Sequence, residues 1–320
     1  MVVTCGFGWT RLGRSELGLL GAGQRLAKKL SGEHTVLLLG SPSDELISEI
    51  ALCTDTVQIV SNPLVANYQF ETTLTALTEA CRQLRPSVVL LGNETYCQEL
   101  VPRLAHRLKG SAAGDALTLD VKSDAVLVTR SVYGGKAQAT LALRRKPVVV
   151  WVRSRAFEPA QRQEAPAAII QKPLNIEVDQ RVLLIERQTE LRDAARLEDA
   201  RVIVSGGRGL GGPEPFTHLQ SLAAAMGAQV AASRAACDAG WVPAGWQVGQ
   251  TGKKVAPDLY LAIAISGASQ HIMGITDAKT IAAINIDPEA PIFHHCQFGL
   301  VDDFRNVVGP LREKIVELLA

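Results

Sequence analysis

The sequence predicts an α/β protein with two domains, and three observations support this prediction. Helical patterns alternate with short apolar strand patterns from Ser15 to Gly110, as they do in parallel sheets. A second alternation of the same kind begins at Arg201. The 320 residues, 47% of them hydrophobic, are enough to bury two cores. We therefore expect an N-terminal parallel-sheet domain of the nucleotide-binding type over residues 1–197 and a doubly wound C-terminal domain over residues 198–320.

The spacing of apolar residues gives the order of elements in the N-terminal domain. It predicts helices over residues 15–30, 44–53, 71–84 and 97–110, and buried strands over 34–40, 56–60 and 86–92. Shorter β-rich segments are expected to extend the sheet in antiparallel fashion, over residues 116–121, 125–135, 137–143 and 147–153. Residues 154–168 lack periodicity and predict a loop or linker. A strand over 175–189 and a polar helix over 191–200 are expected to follow.

The C-terminal domain is predicted in the same way. Its expected strands cover residues 201–207, 229–233, 259–266 and 280–285. Helices are expected over residues 216–228, from about 269 to 274, and at the C-terminus, where Pro310 lies near the first helical position.

Polar or glycine residues follow all four predicted strands of this second domain. They are Ser205 to Gly212, Ser233 with Arg234, Ser266 to His271, and Asn285. In doubly wound sheets the ligand lies beyond the carboxyl ends of the strands. The sequence therefore predicts one ligand crevice formed by these four strand ends.

Composition and charge argue against several classes of function. The net charge is +1 and no basic run stands out, so neither nucleic acid nor an anionic membrane is expected as a partner. The six cysteines are scattered without a C-x-x-C pair, which suits free thiols in a reducing cytosol better than zinc or iron–sulfur ligands. No metal is expected at His294-His295-Cys296 either, because adjacent side chains point in different directions. The apolar runs are too short to span a bilayer, and we expect a cytoplasmic protein.

The stretch SGGRGLGG contains G-x-G-x-x-G at Gly207, Gly209 and Gly212, which by itself is a weak signal. A dinucleotide site would need an acidic residue at the end of the next strand, where Ser233-Arg234 stands instead. That pair would suit the 2′-phosphate of NADP, so an NADP-dependent oxidoreductase is one hypothesis. A glycine-rich turn without a ligand is the other interpretation of the same residues.

Longer motifs resemble a known family. SGGRGL, AASRAACDAGWVP, QVGQTGKKVAPDLYLAIAISGASQH and AINIDPEAPIF followed by GLV, in this order from about Arg201 to Pro310, resemble the C-terminal domain of the alpha subunit of electron-transfer flavoproteins. RSVYGGKAQATL in the N-terminal half resembles a family stretch more loosely. Two departures from the family pattern are Ile286, where a lysine is common, and Gln297, where an aspartate is common.

The resemblance implies a heterodimeric electron carrier rather than an enzyme that makes or breaks substrate bonds. The C-terminal domain would bind FAD, and the N-terminal domain would contact a smaller beta subunit. Electrons would pass from flavoprotein dehydrogenases, of the acyl-CoA type, to a membrane quinone reductase or another acceptor. The implied FAD contacts are Arg208, Ser233, Val248, Gly249, Gln250, Thr251, Ser266, Gly267, Ala268, Ser269, Gln270, His271, Asn285, Asp303 and Phe304.

Within this set the resemblance implies different roles. Thr251 would offer its hydroxyl to flavin N5, His271 would donate toward the O2 edge, and Arg208 would lie over the ring. Asn285 and Asp303 would lie near the adenosine and ribose end.

Each of these side chains also has an ordinary structural interpretation. Thr251 could stabilise a turn, Ser266 could cap a helix, His271 could be an interior histidine bonded to backbone, and Asp303 could pair with Arg305 or cap a helix. Lys253 and Lys254 are expected to be solvated loop charges rather than phosphate ligands. A nucleotide-binding or partner-binding module without redox activity is a third functional class.

Overall fold

The computed structural model describes residues 1–66, 68–135, 137–153, 155–174, 176, 182, 185–186 and 197–319. The chain divides into two compact units, Met1–Glu190 and Leu191–Ala320. The predicted strand over 175–189 lies almost wholly outside the described residues, as does most of the predicted helix over 191–200. The domain boundary placed at residue 197 stays a prediction.

The first unit is an α/β sheet domain, and its first four helices and intervening strands confirm the predicted alternation. The strands are β1 Val2–Phe7, β2 His34–Leu39, β3 Thr56–Val60, β4 Val88–Leu91, β5 Ser111–Lys122, β6 Ala125–Val132, β7 Ala137–Leu143, β8 Val148–Val152 and β9 Ala168–Gln171. The helices are α1 Arg14–Lys29, α2 Asp44–Ala51, α3 Phe70–Leu84 and α4 Thr95–Arg107.

The sheet of the first unit has the order β7-β6-β5-β8-β4-β1-β2-β3-β9. Strands β5, β6 and β7 pair antiparallel, as predicted. The prediction was wrong for β8, which lies between β4 and β5 and runs parallel to both. Its sequence VVVWV is a nearly continuous buried apolar run, and such runs are typical of parallel strands covered on both faces. Strand β1, which the sequence pattern did not predict, is fully buried at the centre of the sheet.

The second unit is a five-stranded, fully parallel sheet with helices on its faces, which confirms the doubly wound prediction. Its strands are β10 Val202–Gly206, β11 Gln229–Ala232, β12 Leu259–Ile263, β13 Thr280–Asn285 and β14 Phe298–Val301. Its helices are α5 Pro215–Ala225, α6 Arg234–Asp238, α7 Ser269–Ile272 and α8 Phe304–Leu319. The strand order is β11-β10-β12-β13-β14, with parallel pairing throughout.

Three details of this unit differ from the predictions. The short helix α6 was not predicted. The edge strand β14 was not predicted. The last helix begins at Phe304, so Pro310 lies inside it rather than near its first position. The helix starts early because the Asp303 carboxylate accepts a hydrogen bond from the backbone N–H of Arg305, at 2.9 Å, and so satisfies a free amide of the first turn. Among the described residues, no helix has both the length and the apolar character needed to cross a bilayer.

Candidate functional site

The carboxyl ends of β10, β11, β12 and β13 enclose a cavity of about 770 Å³ in the second unit. The chain passes from β10 to β11 on one side and then returns to place β12 on the other side of β10. This reversal is the topological switch point, where open α/β sheets bind ligands. The volume falls within the range of roughly 300 to 1,000 Å³ that is usual for small-molecule and cofactor sites.

Most of the predicted site residues line this one cavity. Eleven of them do so: Arg208, Ser233, Val248, Gly249, Gln250, Thr251, Ser266, Ala268, Gln270, His271 and Asn285. The lining also includes residues that were not in the predicted set: Gly209, Arg234, Ala235, Asp238, Gln247, Ala264, Ile265, Asp287 and Ala290. The four remaining predicted residues, Gly267, Ser269, Asp303 and Phe304, are not part of the lining.

The loop that follows Gln247 is held against the cavity by backbone hydrogen bonds. The N–H of Val248 donates to the carbonyl of Ala232 at the end of β11, at 3.0 Å. The N–H of Gln250 donates to the carbonyl of Gln270 at 2.7 Å. Between them Gly249 has φ +147°, and a Cβ at this position would lie 2.9 Å from the same Gln270 oxygen. Glycine is therefore required for the loop to approach the neighbouring segment this closely.

His271 lines the cavity, and its imidazole is buried. Only 7% of the residue is exposed, and its Nε2 atom lies 3.0 Å from the hydroxyl of Tyr260. Its Nδ1 atom is buried and has no hydrogen-bond partner of ordinary geometry among the described residues. Burial lowers the pKa of His271 to about 4, an effect that the backbone of Val248 opposes only in part. The imidazole is therefore neutral at physiological pH.

Ser233 also lines the cavity. It is the residue before α6, yet its side chain does not cap that helix. Its Oγ atom is buried and also lacks a hydrogen-bond partner among the described residues. Ser233 and His271 thus both line the cavity, and each carries a buried polar atom without a hydrogen-bond partner among the described residues.

The cavity also carries charge. Arg208 is exposed, and no carboxylate pairs with it among the residues that the structure describes. Arg234 lies in the lining as well, and its Nε donates to Asp238 at 3.1 Å. From the sequence, Arg234 was assigned a role only in NADP binding, although its place directly after Ser233 at a strand end was a sufficient signal to include it.

Two predicted polar residues have partners within the protein. The side-chain amide of Gln247 donates to the Thr251 hydroxyl oxygen at 2.9 Å, which leaves the Thr251 hydrogen available to a ligand. The side-chain amide of Asn285 donates to the carbonyl of Ile265 and accepts from the N–H of Asp287, at 3.0 Å in both cases. Asn285 therefore holds two cavity loops together in addition to any contact with a ligand.

The geometry also distinguishes the structural roles of Ser266, Asp303 and Lys253. Ser266 does not cap α7, because the N-cap residue is Ala268. Asp303 forms an ion pair with Arg305, which lowers the pKa of that carboxyl to about 2. Lys253 forms an ion pair with Glu198 at 3.0 Å and is outside the cavity lining.

The departure from the family pattern at Gln297 has a structural role, since its side-chain oxygen accepts a hydrogen bond from the N–H of Ile281 at 2.7 Å. Ile286, the other departure, is 70% exposed.

The glycine-rich turn packs against protein backbone. A Cβ at Gly207 would collide with the carbonyl of Ala264, and the N–H of Gly209 donates to that carbonyl at 3.2 Å. Helix α5 begins only at Pro215, three residues after Gly212. The turn therefore does not open directly into a helix, as a dinucleotide-binding turn would. This geometry removes the main support for the NADP hypothesis.

The first unit has a crevice at the corresponding place, but it is nearly filled. It lies at the carboxyl ends of β1, β4 and β8 and is lined by Trp9, Glu16, Arg153 and Phe157 among others. Its volume is about 20 Å³, enough for roughly one water molecule. Among the described residues, no group of three or more His, Cys, Asp or Glu side chains could hold a metal ion.

Comparison with known proteins gives consistent results for both units. A family model described as "Electron transfer flavoprotein domain" matches residues 10–176, and one described as "Electron transfer flavoprotein FAD-binding domain" matches residues 196–276. The chain is 37% identical to the electron transfer flavoprotein subunit alpha of Thermoanaerobacterium thermosaccharolyticum, over 94% of this chain and 92% of that protein. It is 34% identical to the protein FixB of Clostridium saccharobutylicum, over 97% of this chain and 94% of that protein. It is also 34% identical to the electron transfer flavoprotein subunit alpha of Bacillus subtilis, over 91% of this chain and 90% of that protein.

Proposed function

The chain belongs to the electron transfer flavoprotein alpha-subunit family, and we propose that it carries electrons from flavoprotein dehydrogenases to a separate acceptor by means of FAD bound at the cavity of its second unit. The single observation that carries this proposal is the cavity at the switch point, whose lining includes eleven of the residues that the family resemblance implies as FAD contacts. Most of its lining residues lie within the part of the chain that matches the FAD-binding domain.

The residues of the cavity are suited to FAD. The ligand has carbonyl oxygens, ring nitrogens and phosphates that accept hydrogen bonds, and the cavity offers the Thr251 hydroxyl hydrogen, the His271 imidazole and two arginines. Small residues such as Gly249 and Ala268 leave room for a flat ring to approach the backbone. Bound FAD supplies the redox chemistry, and the protein supplies binding, orientation and electrostatics.

Within this site Arg208 is the residue that we assign to the potential of the cofactor. Arg208 has no carboxylate partner among the described residues, and such a positive charge stabilises negative charge that develops on a bound group nearby. Thr251 would orient the ring through its hydroxyl, and Gln247 would hold that hydroxyl in place. Asp303 and Phe304 would act indirectly, since neither belongs to the cavity lining.

The partners belong to the same proposal. The relatives are described as alpha subunits, which implies a second subunit, and we infer that residues 1–197 contact a beta subunit while residues 198–320 bind FAD. We further infer dehydrogenases of the acyl-CoA type as donors and a membrane quinone reductase or another acceptor downstream. The chain itself would act as an electron carrier rather than as an enzyme on an organic substrate.

The test is to co-express the chain with a candidate beta subunit and to record the visible spectrum and the flavin potential of the purified complex. We expect bound FAD, and we expect Arg208→Ala to lower its potential by about 60 mV or more, which corresponds to a tenfold change in a one-electron equilibrium. Arg201→Ala is the matched control, because it removes the same charge at the opposite, amino end of β10. A colourless complex that gains no flavin but binds NADPH would contradict the proposal.

A further inference from the structure

Two arginines line the cavity of the second unit, and their surroundings differ. Arg208 follows β10 and has no carboxylate partner among the described residues. Arg234 follows β11 and forms an ion pair with Asp238, whose Oδ2 atom lies 3.1 Å from its Nε. Asp238 lines the same cavity. One of the two positive charges is therefore accompanied by a negative charge inside the site, whereas the other is not.

A single short helix builds this pair. Helix α6 begins at Arg234, two residues after β11 ends, and Asp238 lies four residues further on, so both side chains share one face of the helix. Asp238 accepts a hydrogen bond from Nε, and the two terminal nitrogens of Arg234 have no partner among the residues that the structure describes. A guanidinium that is held by its Nε keeps both terminal nitrogens available to a ligand.

The pair is placed to act on a ligand more than on the fold. The side chains of Arg234 and Asp238 are 66% and 62% exposed, and both line the cavity. An ion pair with this exposure contributes little to folding stability, because water screens it. A ligand that fills the cavity displaces part of that water, and the effect of each charge on the ligand grows as the surroundings become less polar.

The charges of the cavity lining balance. Among the described residues that line it, Arg208 and Arg234 are positive, and Asp238 and Asp287 are negative. A flavin gains electrons on reduction, so a nearby positive charge favours its reduction and a nearby negative charge opposes it. Asp238 therefore works against Arg234, while nothing in the described structure works against Arg208 at equally short range.

We propose that Asp238 is a positioning residue for Arg234 that also offsets its charge, so that the bound flavin is harder to reduce than two unpaired arginines would make it. This inference rests on the proposed FAD site, because the flavin is the group on which both charges act. It assigns different tasks to the two arginines. Arg208 raises the flavin potential with its full charge, and Arg234 offers its terminal nitrogens to the ligand with a charge that is largely cancelled.

The test is a redox titration of the flavin-loaded complex with variants of Asp238. Asp238→Asn keeps an acceptor oxygen for Nε of Arg234 but removes the negative charge. We expect it to favour flavin reduction about threefold, which corresponds to a rise of about 30 mV for one electron. FAD affinity should stay the same or increase, because the ligand itself carries negative phosphates. Asp238→Glu keeps the charge and should leave the reduction equilibrium within about 1.5-fold of wild type.

The arginine supplies the second half of the test. Arg234→Gln alone should disfavour flavin reduction at least about threefold, because it leaves Asp238 unbalanced. The double variant Arg234→Gln/Asp238→Asn removes both charges and should return close to the wild-type potential. Glu317→Gln is the matched control, since Glu317 pairs with Lys314 at 2.8 Å with similar exposure but lies outside the cavity lining. It should leave the potential unchanged.

Several outcomes separate this inference from others. An unchanged or lower potential in Asp238→Asn would overturn it, and so would equal shifts in Asp238→Asn and Asp238→Glu, because position rather than charge would then be responsible. Urea unfolding of the flavin-free variants checks for a purely structural pair, which would lower the unfolding midpoint of Asp238→Asn and leave the potential unchanged. Absence of flavin from the wild-type complex would instead refute the proposed function.

Discussion

The neutral, buried state of His271 predicts that acid destabilises the second unit by a calculable amount. The pKa of this histidine falls from 6.5 to about 4 because its charged form would be desolvated. The unfolded chain, in which the imidazole is hydrated, therefore binds the proton more readily than the folded chain. The stabilisation is fully present above pH 6.5 and is lost as the pH falls toward the folded pKa.

The magnitude follows from the shift itself. Each pKa unit corresponds to about 1.4 kcal/mol, so the full loss for His271 is about 3 kcal/mol, of which about 2 kcal/mol is lost between pH 7 and pH 5. His34 in the first unit is also buried, and its pKa is likewise lowered to about 4. The wild-type profile therefore contains both contributions, and only a difference between variants isolates His271.

The assay is urea unfolding of the flavin-free protein at several pH values between 7 and 5, for wild type and His271→Asn. We expect the stability advantage of the wild type over the variant to shrink by about 2 kcal/mol across this range. His218→Asn, which replaces an exposed histidine on α5, should keep the full wild-type pH profile. A difference between wild type and His271→Asn that does not vary with pH would refute the reasoning, because it would show that His271 is not held neutral.

Two further predictions concern the loop after Gln247. Gly249→Ala should weaken flavin binding about tenfold or more, because the added Cβ would press on the Gln270 carbonyl. The control is Gly240→Ala, which also has a positive φ but has no atom near its Cβ, and it should leave flavin affinity within about threefold. Equilibrium titration with FAD measures both affinities. Lys253→Met should leave flavin affinity within about twofold, because Lys253 forms an ion pair with Glu198 and is not part of the cavity lining. A loss of affinity beyond about tenfold in the same titration would show that Lys253 binds a phosphate instead.

The position of the cavity could be predicted from sequence because it depends only on parallel topology. The alternation of strand and helix patterns predicted a doubly wound sheet, in which the residues after each strand meet at the carboxyl edge of the sheet. Most of the predicted site residues do lie together there. The orientation of β8 could not be predicted in the same way, since a short apolar run does not encode which neighbours it pairs with. Strand β14 was missed because it has four residues, one of them glycine, and all four are exposed at the sheet edge.

The interactions that define the site chemically were also beyond local patterns. The Tyr260–His271 hydrogen bond joins β12 to α7, and neither residue alone signals the other. Asn285 fits a ligand-binding pattern equally well whether its amide faces a ligand or, as here, holds the backbone at Ile265 and Asp287. In each case the family motifs indicated the right region of the chain. The hydrogen-bond partners and the burial of these side chains could be read only from the assembled fold.

In both units the sheet topology determines where a crevice can form, and the volume of the side chains around it determines whether the crevice is open or filled. Both sheets reverse their strand order, and both have a crevice at the carboxyl ends of the strands beside the reversal. In the first unit Trp9 and Phe157 occupy that crevice, whereas in the second unit Gly209, Ala264 and Ala268 leave it open. The same architecture thus provides a packed core edge in one unit and a cofactor-sized cavity in the other. The difference between the two crevices therefore lies in a few side chains rather than in the architecture.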